Sequence, residues 1–161
     1  MLKWLWLSLA ILGLDQLTKW IVDRSMQVYE SIEFLPFFNL TYLRNRGAAF
    51  SFLSNAGGWQ RWFFVGLSLV ASGAIVYWLT RLGRDQRWEA AAWALVLGGA
   101  VGNLIDRTAY GYVIDFLDVY YGDWHWPAFN VADSAITIGI GMLLLDSFRS
   151  GQPTRPETRS Q

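Results

Sequence analysis

Four stretches of the chain stay apolar for about the length a bilayer demands, and two kinds of polar segment separate them. Residues 2–22, LKWLWLSLAILGLDQLTKWIV, are interrupted by Asp15 and Lys19, which are four apart and so share one helical face. Residues 62–80, WFFVGLSLVASGAIVYWLT, carry no charge. Residues 88–105 begin near Glu89 and end near Asn103, and residues 131–148 hold Asp133 in their first turn. Crossing the hydrocarbon takes roughly 20 such residues, so the pattern predicts four membrane helices. The first stretch also has features of a cleaved leader, but Asp15 interrupts its apolar core and no A-x-A-like site follows Val22. It is expected to stay as an uncleaved span. Gly98 and Gly102, with Gly99 beside them, and Gly139 with Gly141 are expected to let backbones approach closely.

Between the spans the pattern changes. Ile32 to Leu43, IEFLPFFNLTYL, is rich in β-branched and aromatic residues and reads as extended, with Pro36 marking an edge or a break. Asn45-Arg46-Gly47 signals a turn. The following AAFSFLSNAGGW has the pattern of a short interfacial helix. Tyr110 to Tyr121 is a second apolar, aromatic run, and the two runs are expected to pair into a small sheet at the membrane surface. The expected fold is an all-α membrane protein of four transmembrane helices with a small extracytoplasmic β-sheet and a short interfacial helix. One membrane domain, residues 1–149, is followed by a disordered tail, 150–161, and no internal repeat is visible.

Composition agrees with the spans: 53% hydrophobic, 16% charged, with ten Trp, seven Tyr and ten Phe among 161 residues. A net charge of zero and no long basic run argue against a nucleic-acid partner. The absence of cysteine removes disulfides, thiol nucleophiles and thiolate metal sites. Lys3, the turn arginines Arg81, Arg84 and Arg87, and the tail residues Arg149, Arg155 and Arg159 fall on one side if there are four spans. The positive-inside rule makes that side cytoplasmic and the regions 23–61 and 106–130 external, although Arg24, Arg44, Arg46 and Arg61 blur the contrast.

The candidate chemistry gathers between Asn103 and Asp133, a segment with five acids. A carboxylate at the edge of hydrocarbon is costly and marks a site that uses it. Asp115, in YVIDFL, has apolar neighbours, and burial there would raise its pKa. If Asn130 caps the fourth helix, Asp133 falls at the third helical position, where free N–H groups favour a carboxylate. Environments that drive two carboxyl groups apart are the mark of an acid and a base working together. A capping box is the structural alternative for Asp133. Asn103, Asp106 and Arg107 share a helix face, and Arg107 neutralising Asp106 is their structural reading. His125, in DWHWP, reads as part of an interfacial aromatic anchor. Asp118 and Asp123 have no cation-loop spacing and no second His or Cys accompanies His125, so no metal site is expected from these residues.

Taken together these segments resemble the bacterial lipoprotein signal peptidases, signal peptidase II. The resemblance runs from Leu14 to Phe148 through Asp15-Gln16 with Lys19, Asn45-Arg46-Gly47-Ala48-Ala49-Phe50, Gly102-Asn103-Leu104-Ile105-Asp106-Arg107, Val113-Ile114-Asp115-Phe116 and Phe129-Asn130-Val131-Ala132-Asp133-Ser134. It implies a four-helix aspartyl peptidase of the inner membrane, with both termini cytoplasmic and Asp115 and Asp133 as the catalytic pair near the outer face. The implied substrate is a diacylglyceryl-modified prolipoprotein held in membrane lipid and cut before its lipidated cysteine. Asp15, Asn45, Gly47, Asn103, Asp106, Arg107 and Asn130 would then bind substrate or support the pair. Two rivals remain on the residues alone. A proton- or ion-coupled transporter using the same carboxylates would place them at mid-membrane between repeats. A scaffold would use its polar residues only to join helices.

Overall fold

The computed structural model describes residues 1–47 and 58–150. The expected interfacial helix, the Ala48-Ala49-Phe50 part of the first loop motif and nearly all of the C-terminal tail lie outside the described residues. A single 3-10 turn, Leu2–Trp4, leads into α1 (Leu5–Ser25), followed by β1 (Ser31–Leu35), β2 (Phe38–Asn45) and α2 (Trp59–Arg81). Then come α3 (Arg87–Ala109), β3 (Val113–Tyr121), β4 (Trp124–His125) and α4 (Val131–Ser150). Each helix is long and apolar enough to cross a membrane. Their outward faces keep large apolar side chains, such as Trp6 (76% exposed) and Val70 (73%), which suits lipid and not water.

α3 packs against the other three helices. The cause is the small-residue content of its packed sides: Ala90, Ala92, Ala94, Gly98, Gly99 and Gly102 are all buried. A Cβ on Gly98 would stand 2.8 Å from the Ser8 carbonyl oxygen of α1, and one on Gly99 would collide with the Ala132 carbonyl of α4. Gly139 is equally confined, 2.6 Å from the Ala92 carbonyl oxygen, but Gly141 meets nothing within 4 Å. The expectation that both α4 glycines serve packing therefore holds for Gly139 only; two residues apart on a helix point to nearly opposite sides.

The helix ends sort into two levels. The Met1 amino group donates to the Leu79 carbonyl at 3.1 Å, joining the start of α1 to the end of α2. At the other level, Arg61 at the start of α2 donates to the Arg107 and Thr108 carbonyls that end α3, at 2.8 and 2.6 Å. The sheet sits at this second level. Its order is β1-β2-β3-β4, antiparallel throughout, so the two extended runs do pair, with Leu43 opposite Asp115 and Asn45 opposite Val113. Pro36 falls in the β1–β2 turn. Val22 of α1 with Tyr42, Ile114 and Phe116 forms the apolar cluster that seats the sheet on the bundle. α3 extends to Ala109, so Asp106 and Arg107 are helical and not the start of a loop.

Candidate functional site

Asp115 lies in the buried half of β3 with only 3% of its surface exposed. Its carboxylate accepts from Asn45 Nδ2 at 3.0 Å and from Asn130 Nδ2 at 2.8 Å. Burial, and next the charge of Asp133, push its carboxyl up to about 7 from an ordinary 3.8, against the two amide donors and Lys19. This matches the expectation for an acid set among apolar neighbours.

Asp133 is delivered by the first turn of α4. Asn130 caps that helix: its Oδ1 accepts from the Asp133 N–H at 2.9 Å, and its carbonyl accepts from the Ser134 N–H at 3.1 Å. The Asp133 carboxylate accepts from Asn103 Nδ2 at 2.7 Å. The fully buried Asn130 amide thus touches one acid through its nitrogen and the backbone of the other through its oxygen. Asp115 and Asp133 both line one cleft of about 1400 Å³, together with Asn45, Arg107, Phe129 and Ile136.

Beneath the pair lies a buried ionic network. Lys19 Nζ reaches Asp15 Oδ2 at 2.8 Å, Asp106 Oδ2 at 2.9 Å and Asn103 Oδ1 at 3.0 Å, giving its three N–H groups three acceptors. Asp15 also accepts from the Ala132 N–H at 2.9 Å, serving an open donor at the start of α4. Asp106 accepts from the Ile114 N–H at 3.2 Å and from Gln16 Nε2 at 2.9 Å, tying the residue before Asp115 to the bundle. The expected Asp106–Arg107 pairing is not what forms. Asp106 faces Lys19, while Arg107 donates to the Gly47 and Asn103 carbonyls at 3.3 and 3.4 Å and lies over the Phe64 ring. Gly47 also donates its N–H to Asn45 Oδ1 at 2.9 Å, closing the predicted turn.

All nine site residues expected from the sequence therefore fall in or around one cleft. Gln16, quoted only as part of a motif, and Lys19, read only as sharing a helical face with Asp15, prove as deeply involved; the signal was their place beside Asp15 in an apolar span. His125, read as part of an interfacial aromatic anchor, stacks on Tyr120 and in addition sets its Nδ1 against the Asp118 carboxylate at 2.9 Å. Asp123 is exposed in the β3–β4 turn. Among the described residues no three His, Cys, Asp or Glu side chains are grouped to hold a metal.

Two carboxyl groups, Asp115 buried and Asp133 half-buried, flanked by amide donors and opening on a cleft at the mouth of a membrane bundle, suit bond hydrolysis at a membrane surface. Residues 7–149 match the family model described as signal peptidase (SPase) II. The chain belongs to the signal peptidase II family. It is 51% identical over 160 residues to the lipoprotein signal peptidase of Alteromonas mediterranea, covering 99% of this chain and 88% of that one. The lipoprotein signal peptidase of Pseudoalteromonas translucida is 54% identical over 152 residues, covering 94% and 92%. A bacterial membrane enzyme solved by the in meso method at 2.3 Å resolution superposes with a TM-score of 0.83 at 30% identity, over 98% of this chain and 96% of that one. A second, solved at 1.9 Å, gives 0.79 at 31% identity, over 92% and 94%. Family membership makes the chain a membrane protease that removes signal peptides from lipoproteins.

Proposed function

We propose that the chain is an aspartyl endopeptidase that cuts diacylglyceryl-modified prolipoproteins just before the lipidated cysteine, with Asp115 and Asp133 as the catalytic pair. The observation that carries the reading is the pair itself: two acids from different elements, linked by the Asn130 amide and sharing one cleft.

In this reading one carboxylate takes a proton from a water molecule as its oxygen attacks the scissile carbonyl, and the other carboxyl group donates its proton to the carbonyl oxygen. Collapse of the tetrahedral intermediate returns a proton to the cysteine nitrogen, leaving a new carboxyl end on the signal peptide and a free amine on the lipoprotein. Asp115, held protonated toward neutrality, supplies the acid; Asp133, beside the N–H groups that begin α4, supplies the base. No metal or organic cofactor enters these steps. Asn45 and Arg107, at the cleft wall, are placed to meet the substrate backbone. The substrate's acyl chains stay in lipid and set its depth, so the peptide bond arrives positioned.

The sheet-bearing level of the bundle faces outward, and the opposite level, with Lys3, Arg81, Arg84 and Arg87, lies at the cytoplasmic side of the inner membrane. The test is release of signal peptide from a diacylglyceryl-modified prolipoprotein by the purified protein in detergent. Asp115→Asn and Asp133→Asn should each abolish release while thermal unfolding still shows a folded protein. Substantial turnover in either variant would remove the pair from the mechanism.

A further inference from the structure

The cleft does not end at the acids. A second concavity of about 450 Å³ continues it along the sheet, and the two share Leu43, Trp126, Pro127 and Ala128 as common walls. Its polar wall is built from three strands. Asp118 of β3, 7% exposed, accepts from Thr41 of β2 at 3.1 Å and from Asn39 at 3.4 Å. His125 of β4 closes on the same carboxylate at 2.9 Å and keeps half of its side chain open. With the carboxylate ionised, this pair is neutral or negative and never positive.

Position and chemistry together select an occupant. Asp118 follows Asp115 by three strand residues, roughly 10 Å at 3.3 Å per residue. An extended peptide covers that distance in about three residues. Toward α4 the cleft is bounded by Ile136 and Ile138, and Ile138 is 56% exposed on the surface of the bundle, which suits an apolar segment lying in the membrane. The opposite direction leads over Thr41, Asp118 and His125, which suits a polar chain leaving the bilayer with its backbone groups in need of partners.

Resting on the peptidase reading above, we propose that this second concavity is a binding site for the segment just downstream of the cut, the second to fourth residues of the released lipoprotein. Asp118 and His125 select there for hydrogen-bond donors and basic side chains and against acidic ones. The pair has no part in the chemical step; it sets how tightly the downstream chain is held.

The test uses the full-length protein in detergent and two diacylglyceryl-modified peptides that differ only at the third released residue, Lys in one and Glu in the other. The wild type should favour Lys in kcat/KM by about fivefold, the size of one partly screened charge pair, with the difference in KM and not kcat. Asp118→Asn should bring the ratio below about twofold, because the charge is gone while the shape remains. His125→Asn, at a half-exposed position, uncovers the carboxylate and should widen the ratio. Equal kcat/KM for the two peptides in the wild type, or the wild-type ratio persisting in both variants, overturns the site. Cleavage of neither peptide overturns the peptidase reading and the site with it. Normal cleavage without discrimination overturns the site alone.

Discussion

Asn130 Nδ2 donates to Asp115 Oδ1 at 2.8 Å, and the same side chain's oxygen accepts the Asp133 N–H at 2.9 Å. One helix cap therefore sets the relation between a strand residue and a helix residue eighteen positions apart. Asn130→Ala should lower kcat about a hundredfold with little change in KM, the cost of displacing one acid of the proposed pair. Asn130→Asp keeps the capping oxygen but replaces the donor by a charge facing Asp115, and should lose as much or more. Steady-state kinetics on a lipidated substrate peptide check both; near wild-type kcat in Asn130→Ala would leave the cap a structural feature alone.

The elements written in local pattern were the legible ones. The four spans follow from apolar length, and the β2–β3 pairing from two aromatic, β-branched runs that bracket α2 and α3. The cap at Asn130 followed from residue type and spacing. Contacts that depend on how helices rotate against each other were not legible. Asp106 and Arg107 are neighbours in sequence, but consecutive residues on a helix diverge by about 100°. Asp106 turns inward to Lys19 while Arg107 turns to the Gly47 carbonyl and Phe64. His125 carried no pattern of its own; only the β3–β4 register, with Tyr120 opposite His125, brings it over the sheet to Asp118.

Lys19 is 2% exposed between Asp15 and Asp106, which are 0% and 1% exposed. Taking away the cation leaves two buried acids without their counter-charge, a change that typically costs about 3–5 kcal/mol. Lys19→Met should therefore unfold at much lower temperature in detergent. Adding Asp106→Asn to it restores the original charge balance of the network and should recover part of the loss. A Lys19→Met protein as heat-stable as the wild type would show that the network contributes nothing to the fold.

The glycines separate packing from propensity. A Cβ on Gly99 collides with the backbone of α4, and one on Gly139 comes within 2.6 Å of the backbone of α3; backbone yields poorly. Gly99→Ala and Gly139→Ala should each cost about 1–3 kcal/mol through overpacking. Gly141→Ala meets open space and exchanges a poor helix former for a good one, so it should be neutral or stabilising by up to about 1 kcal/mol. Thermal unfolding of the three variants side by side gives the order. Equal losses at Gly139 and Gly141 would mean that α4 packs by a different face.

The raised carboxyl of Asp115 fixes the direction of two pH effects. Catalysis in the proposed mechanism needs its proton, so kcat/KM should fall as pH rises through about 7 and approach a tenfold loss per pH unit beyond it. Stability moves in the same direction. A carboxyl raised from 3.8 to about 7 on folding contributes stability that is whole below 3.8 and is lost as pH rises through about 7. The groups acting on it are the Asp133 charge, which raises it after burial, and Asn45, Asn130 and Lys19, which oppose. Asp115→Asn cannot ionise, so its unfolding temperature should lack that decline between about pH 4 and 7. The new amide sets one N–H group against the Asn45 or Asn130 donors, a cost that does not depend on pH, so the slope and not the level of the stability curve is diagnostic. An identical slope in wild type and Asp115→Asn would mean that Asp115 is already ionised in the folded protein, and the acid in the pair would then have to be Asp133.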